Sequence, residues 1–122
     1  MTKSFRAFLV VGFVAFAMAG LARPAAASDG LWSVLIVTEK GTCDRGYRYP
    51  VRISRGVVKH ADAANSSFDI RGRVRGGSIS VTVSRGSQSA RGSGRIGPTS
   101  GTGTWKTASG ECSGSWTAEK RG

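Results

Sequence analysis

Apolar and polar side chains alternate with a period of two in this chain, and that pattern constrains its fold more than any other feature. Residues 47–54 read Tyr-Arg-Tyr-Pro-Val-Arg-Ile-Ser, and residues 68–75 and 78–84 show a similar alternation. An extended strand directs successive side chains to opposite faces. Each of these segments therefore predicts a strand with one buried face and one face in water.

Four further segments are predicted to be strands, because Gly, Ser, Thr and β-branched residues dominate and no amphipathic helical pattern follows residue 28. They comprise residues 31–39, 90–96, 102–107 and 112–119. Gly76-Gly77 separates two alternating segments and is typical of a two-residue hairpin turn, which requires positive φ angles. Two predictions remain for residues 57–67: a short strand followed by a loop, or one helical turn at residues 61–64.

The predicted strands start about 8–12 residues apart, a spacing typical of antiparallel sandwiches and barrels. Short connections favour an all-β, up-and-down meander, and closure of such a sheet removes its exposed edges. We therefore expect a small barrel of about six to eight strands, with an open twisted sheet or a sandwich as the alternative. Trp32, Trp105 and Trp116 are the candidates for its large core residues.

The N-terminal residues have the pattern of a cleaved secretory signal peptide. Lys3 and Arg6 precede an apolar run of 16 residues, 7–22, and Ala25-Ala26-Ala27 supplies small residues for cleavage. A transmembrane anchor needs about 20 apolar residues and fits less well. We predict a signal peptide at residues 1–27 and one exported domain at residues 28–122, located in the periplasm or secreted, with no membrane span after cleavage.

Cys43 and Cys112 are the only two cysteines of the chain. Export brings them into an oxidising compartment, and two cysteines allow a single pairing. We therefore expect a Cys43–Cys112 disulfide, with two free buried thiols as the alternative. The bridge would compensate for the small core that a domain of this size can bury.

Few residues could support catalysis or bind a metal. His60 is the only histidine, and the seven acidic residues are scattered. Residues 92–97 match G-x-G-x-x-G, but no helix follows, so they predict a Gly-rich strand with a turn. We expect no enzyme activity, no metal site and no cofactor. Haem is the one cofactor considered, because Tyr47, Tyr49 and His60 are residue types that ligate haem iron.

Arginine is the strongest functional signal. Removal of Lys3, Arg6 and Arg23 with the leader lowers the net charge from +11 to +8, and 11 of the 15 remaining basic residues are Arg. The alternation places five arginines on outward faces, namely Arg48, Arg52, Arg71, Arg73 and Arg75. Guanidinium groups bind carboxylates and phosphates with two hydrogen bonds. A shared surface of these residues predicts an anionic partner, with a simply basic, solvated surface as the alternative.

Three segments carry a resemblance to known proteins. Residues 32–44 read WSVLIVTEKGTCD, residues 47–51 read YRYPV, and the tail contains GTW at 103–105 and CSGSW at 112–116. With these segments the chain resembles a group of small exported bacterial proteins without an assigned function. Some of that group carry automated labels mentioning haem utilisation or adhesion. The resemblance implies an exported protein and gives no functional residues.

The sequence thus predicts a non-catalytic exported β-domain that binds an anionic envelope or extracellular partner through its arginines. That partner would be an anionic polysaccharide, a lipid head group or an acidic protein. The Arg-Gly pairs lie in or at the ends of predicted strands, so specific nucleic-acid binding is not expected. A carrier of a small ligand such as haem is one alternative, and an inhibitor of an envelope or host enzyme is another.

Overall fold

A computed structural model describes residues 27–122 of the chain. Eight strands account for most of this part. They are β1 (Gly30–Lys40), β2 (Gly46–Ser54), β3 (Val57–His60), β4 (Asp69–Arg75), β5 (Ser78–Arg85), β6 (Gln88–Ile96), β7 (Ser100–Thr107) and β8 (Ser113–Lys120). A short 3₁₀ turn, Ala63–Asn65, precedes β4. The predicted signal peptide lies almost entirely outside the described residues.

The strands form a closed antiparallel barrel in which each strand pairs with the next along the chain and β8 pairs with β1. The predicted up-and-down barrel is confirmed. A row of paired residues that leaves β1 at Leu31 passes through all eight strands and returns to β1 at Lys40. This offset means that the strands are tilted against the barrel axis, as closure requires.

The structure defines residues 57–67, for which the sequence left two predictions. Residues 57–60 form the short strand β3, and a 3₁₀ turn follows at Ala63–Asn65. The expected hairpin at Gly76-Gly77 is also confirmed, with φ angles of 54° and 87°. Such positive angles are accessible to glycine because it lacks a Cβ atom.

The residues that precede and begin β1 pack across one end of the barrel, which we call the closed end. Trp32 is 1% exposed there, and its indole nitrogen donates a hydrogen bond to the carbonyl of Ser28 (2.8 Å). The Asp29 carboxylate accepts hydrogen bonds from the backbone amides of Arg55 and Gly56 in the β2–β3 turn (2.9 and 3.3 Å). Residues 28 and 29 are thereby fixed against this end of the barrel.

Tryptophan and glycine pack against each other on the inner wall of β6–β8. Trp116 is buried and lies against Gly94 and Gly103 of the two preceding strands. Trp105 was expected in the core but is only half-buried, because it lies nearer the other end of the barrel. Its indole nitrogen donates to the carbonyl of Val37 (3.0 Å), next to an irregularity in the β1–β8 pairing.

The expected disulfide is present between Cys43, in the β1–β2 loop, and Cys112, just before β8. Cys112 is completely buried. The bridge joins two loops at the end of the barrel opposite Trp32. Within residues 27–122, no helix is long and apolar enough to cross a bilayer.

Candidate functional site

A cavity of about 240 Å³ occupies the barrel interior. Its inner walls are mainly aliphatic, because the inward positions of β1–β5 carry Val and Ile. It runs from the buried residues of the closed end, such as Ile53 and Ile96, toward the end where Cys43, Phe68 and Arg85 lie. We call this second end the mouth.

Four aromatic rings cluster on one side of the mouth. Tyr47 and Tyr49, two inward positions of β2, stack with ring centroids 5.9 Å apart. Phe68, just before β4, meets Tyr49 edge-on at 5.4 Å, and His60 at the end of β3 meets Tyr49 edge-on at 6.2 Å. The three residues considered as haem ligands are thus close together, and Phe68 extends the cluster.

Arg85 adds a positive charge to this aromatic cluster. Residues 79, 81 and 83 of β5 face inward, and Arg85 continues the same parity at the last position of the strand. Its guanidinium carbon lies 5.3 Å from the centroid of the Phe68 ring, within the range of a cation–π contact. The residue is exposed and also lines the cavity. Arg85 therefore places a cation where the apolar interior meets water.

Both tyrosine hydroxyls have pKa values above the usual value. The Tyr47 hydroxyl donates to the Asp44 carboxylate (2.9 Å), and this hydrogen bond is the main cause of its raised pKa. Burial is the main cause of the raised pKa of Tyr49. The positive charge of Arg85 lowers both pKa values, although not enough to offset the other effects. Both side chains are neutral phenols at physiological pH.

His60 makes a local hydrogen bond at the rim. Its Nδ1 atom accepts a hydrogen bond from the backbone amide of Asp62 (2.9 Å). Residues 27–122 contain no group of three or more His, Cys, Asp or Glu side chains that could hold a metal ion. The Nδ1 contact orients the ring, which meets Tyr49 edge-on at the mouth.

The five predicted arginines are all exposed, but β2 and β4 are not neighbours. Strand β3 lies between them and contributes Lys59, which pairs with Arg52 on one side and with Arg71 on the other. Arg73 and Arg75 continue along the outer face of β4. Arg48 lies beyond the β2–β3 pairing and donates to the Ser33 hydroxyl (3.1 Å).

Outward basic residues also follow one row of strand pairing around the barrel. The row passes from Arg52 through Lys59 and Arg71, and then through Thr82, Arg91 and Lys106. We call Arg52, Lys59, Arg71, Arg91 and Lys106 the basic row. Among residues 27–122 the ion pairs are Arg71–Asp69 (2.8 Å) and Arg121–Glu119 (3.5 Å). Four of the five cations in the basic row therefore lack a carboxylate partner in that part of the chain.

Sequence reasoning missed the role of Phe68 and Arg85 at the mouth. The alternation of residues 68–75 puts Phe68 on the same face as Ile70 and Val74, and Arg85 continues the inward parity of Ile79, Val81 and Val83. Extending that parity by one more position would have placed Arg85 inside. The contact between the two residues could not be read, because it depends on the register between β4 and β5.

No protein-family model, curated protein or solved structure matches this chain in comparisons with known proteins. The resemblance to small exported bacterial proteins therefore stays a prediction.

Proposed function

We propose that this protein is a non-catalytic carrier or sensor that binds a small, mainly apolar molecule inside its barrel. The open cavity of about 240 Å³ carries this proposal. Ligand sites are typically concave and apolar, with a few polar groups that orient the ligand. Here aliphatic and tryptophan side chains line the interior, and tyrosine side chains and the Arg85 guanidinium group lie at the mouth.

The cavity volume limits the ligand. An apolar protein cavity of about 150 Å³ holds a benzene molecule, so a volume of about 240 Å³ corresponds to roughly ten non-hydrogen atoms. Haem is several times larger and could only sit across the mouth against Tyr47, Tyr49 and His60. The volume therefore favours a smaller ligand than haem. A haem titration without a Soret shift would remove the haem alternative.

The proposal can be tested with two neutral probes of suitable size, octan-1-ol and naphthalene. We expect each to change the tryptophan fluorescence and to shift amide NMR signals of inward residues such as Val81 and Val83. Ala90→Phe places a ring in the cavity and should weaken binding at least tenfold, and Val83→Phe is a second variant of the same kind. Thr82→Phe adds the same ring to the outer surface and should bind normally.

Two outcomes would contradict an internal site. One is the absence of binding by either probe to the folded protein. The other is equal binding by the wild type and by both filled variants, provided that their NMR spectra show folded barrels. Thr82→Phe should bind normally whether the site is internal or external. The test therefore depends on Ala90→Phe and Val83→Phe, which fill the cavity.

A second candidate function is binding of an anionic polysaccharide along the basic row, favoured by the pairing of Arg52, Lys59 and Arg71 side by side. Like charges directly opposite each other on adjacent strands destabilise a sheet, and an anionic polymer bound along the row would offset this repulsion. The row curves around the barrel, so a flexible polyanion could follow it, whereas a flat membrane or a rigid acidic protein would reach only part of it.

Retention on immobilised heparin tests this second candidate. Replacing Arg71, Arg73 and Arg75 by Ser should lower the salt concentration needed for elution. Arg91→Ser with Lys106→Ser, farther around the barrel, should lower it as well if the polymer follows the row. Unchanged elution of both the triple and the double variant would reject the basic row, together with the adjoining outer face of β4, as the binding surface.

The disulfide and the composition of the N-terminal residues support a location in the periplasm or outside the cell. The Cys43–Cys112 disulfide is of the kind that persists in oxidising compartments. Residues 1–27 have the composition of a secretory signal. Mass spectrometry of the exported protein should find Ser28 as the first residue, and a chain that retains its first 27 residues would contradict this assignment.

A further inference from the structure

We propose that the cavity ligand is an amphipathic anion, whose chain fills the barrel while its negatively charged head meets Arg85 at the mouth. This inference rests on the proposed function, since it requires a ligand inside the barrel. It adds the chemistry of the head group and names the residue that recognises it.

The charged side chains that line the cavity have one sign. The charged residues that line it are Arg85 and Arg91, and no carboxylate lines it within residues 27–122. Arg91 belongs to an outward position of β6, whereas Arg85 belongs to an inward position of β5. Of the two guanidinium groups, the one on Arg85 is therefore better placed to contact the head of a ligand whose chain lies in the interior.

In the part of the chain that the structure describes, Arg85 forms no ion pair with a carboxylate. Its contact is instead the face of Phe68, which orients the guanidinium group without neutralising its charge. A guanidinium group at the mouth without such a partner can bind a carboxylate, sulfonate or phosphate by donating short, charge-assisted hydrogen bonds to it.

A carboxylate also lies beside the aromatic cluster, although it does not line the cavity. Asp44 accepts the hydrogen bond of the Tyr47 hydroxyl and lies in the exposed β1–β2 loop. The Tyr49 hydroxyl belongs to the half-buried neighbouring ring, which lines the cavity. As a neutral phenol it can donate to an anionic head beside Arg85.

Three probes with the same eight-carbon chain and different heads test the inference by calorimetry at neutral pH. Octanoate carries a negative head, octan-1-ol a neutral head and octylammonium a positive head. We expect octanoate to bind about fivefold more tightly than octan-1-ol and octylammonium to bind most weakly. The preference for octanoate should decrease as salt is added, because the head meets Arg85 at an exposed site.

Arg85→Gln should remove the preference for octanoate, because octanoate should lose more affinity than octan-1-ol does. Arg95→Gln is the matched control: it removes the same charge at the other end of the barrel, where Arg95 pairs with Ser78, and should retain the preference. A loss of preference in both variants would reveal an effect of net charge and would overturn the role of Arg85.

The remaining outcomes separate the two proposals. If octan-1-ol and octanoate bind equally in the wild type, the ligand is apolar but its head is not recognised, and this inference fails alone. If octylammonium binds most tightly, the aromatic cluster is a cation site and the inference is overturned. If none of the three probes binds, the proposed function itself fails.

Discussion

Gly103 of β7 lies directly beneath the indole ring of Trp116 on the adjacent strand β8. A Cβ atom at position 103 would clash most closely with the Ser93 carbonyl oxygen, and it would lie 2.6 Å from both Cε2 and Nε1 of Trp116. The indole nitrogen reaches past this glycine and donates to the carbonyl of Ser93 on β6 (3.2 Å). The absence of a side chain at position 103 is therefore what allows the largest core residue of β8 to lie flat on the inner wall.

Gly103→Ala should destabilise the protein, because neither the indole ring nor the adjacent backbone can give way at this distance. We expect a loss of about 1–3 kcal/mol in the free energy of unfolding, the usual cost of overpacking a core. Urea denaturation followed by tryptophan fluorescence would measure it.

The matched control is Gly46→Ala in β2. The contact found there for a new Cβ atom is the Ile36 carbonyl oxygen at 3.5 Å, an ordinary van der Waals distance. This variant should unfold at the same urea concentration as the wild type or slightly above it. Equal destabilisation by both substitutions would mean that the strand backbone, and not the Trp116 contact, sets the cost.

Removal of the disulfide should lower stability markedly. The bridge closes a loop of 69 residues, and chain-entropy arguments give roughly 4 kcal/mol for a loop of this length. We expect the variant with both Cys43→Ser and Cys112→Ser to unfold at a lower urea concentration than the wild type. Dithiothreitol should bring the wild type close to the variant and leave the variant unchanged; an effect on the variant would point to another cause.

Alkaline titration should show both tyrosines of the chain ionising at a higher pH in the folded protein than in the unfolded one. Both pKa values are raised above 10.0 in the folded protein. Their contribution to stability is therefore fully present below pH 10 and is lost as the pH rises through the folded values. Ultraviolet absorbance of the tyrosinate should report ionisation later in the folded than in the urea-unfolded protein.

Asp44→Ala removes the hydrogen bond that is the main cause of the raised pKa of Tyr47. The pKa of Tyr47 should fall, while that of Tyr49 should stay raised because burial sets it. Tyr47→Phe leaves Tyr49 as the only tyrosine and identifies its titration. If Asp44→Ala moved the Tyr49 titration and not that of Tyr47, the hydrogen-bond assignment would be wrong.

Asp29→Ala should loosen the closed end, because the Asp29 carboxylate accepts the backbone amides of Arg55 and Gly56. Hydrogen bonds to a charged group contribute about 1.5–3 kcal/mol, and their loss should appear in urea denaturation. Amide hydrogen exchange should accelerate at residues 55 and 56. Asp69→Ala removes the exposed partner of Arg71 and should change stability by less than about 1 kcal/mol.

The local pattern sufficed for the inward and outward assignment of most side chains. Tyr49 faces the interior and Arg71 faces water because neighbouring residues of a strand point to opposite sides, a rule that needs no distant contact. The single possible pairing of Cys43 with Cys112 followed from composition in the same way. Residues 57–67 were less certain, because β3 has only four residues, too few for the period to be distinctive.

The contacts that form the site depend on register, which only closure of all eight strands sets. Phe68 and Arg85 are 17 positions apart, and the antiparallel pairing of β4 with β5 brings them together at the mouth. Insertion of β3 placed Lys59 between Arg52 and Arg71. The sequence by itself thus determined which face each side chain occupies, since alternation is a local property. The tertiary structure alone decided which side chains meet and how much space remains between them, because closure couples the tilt and offset of every strand to all the others.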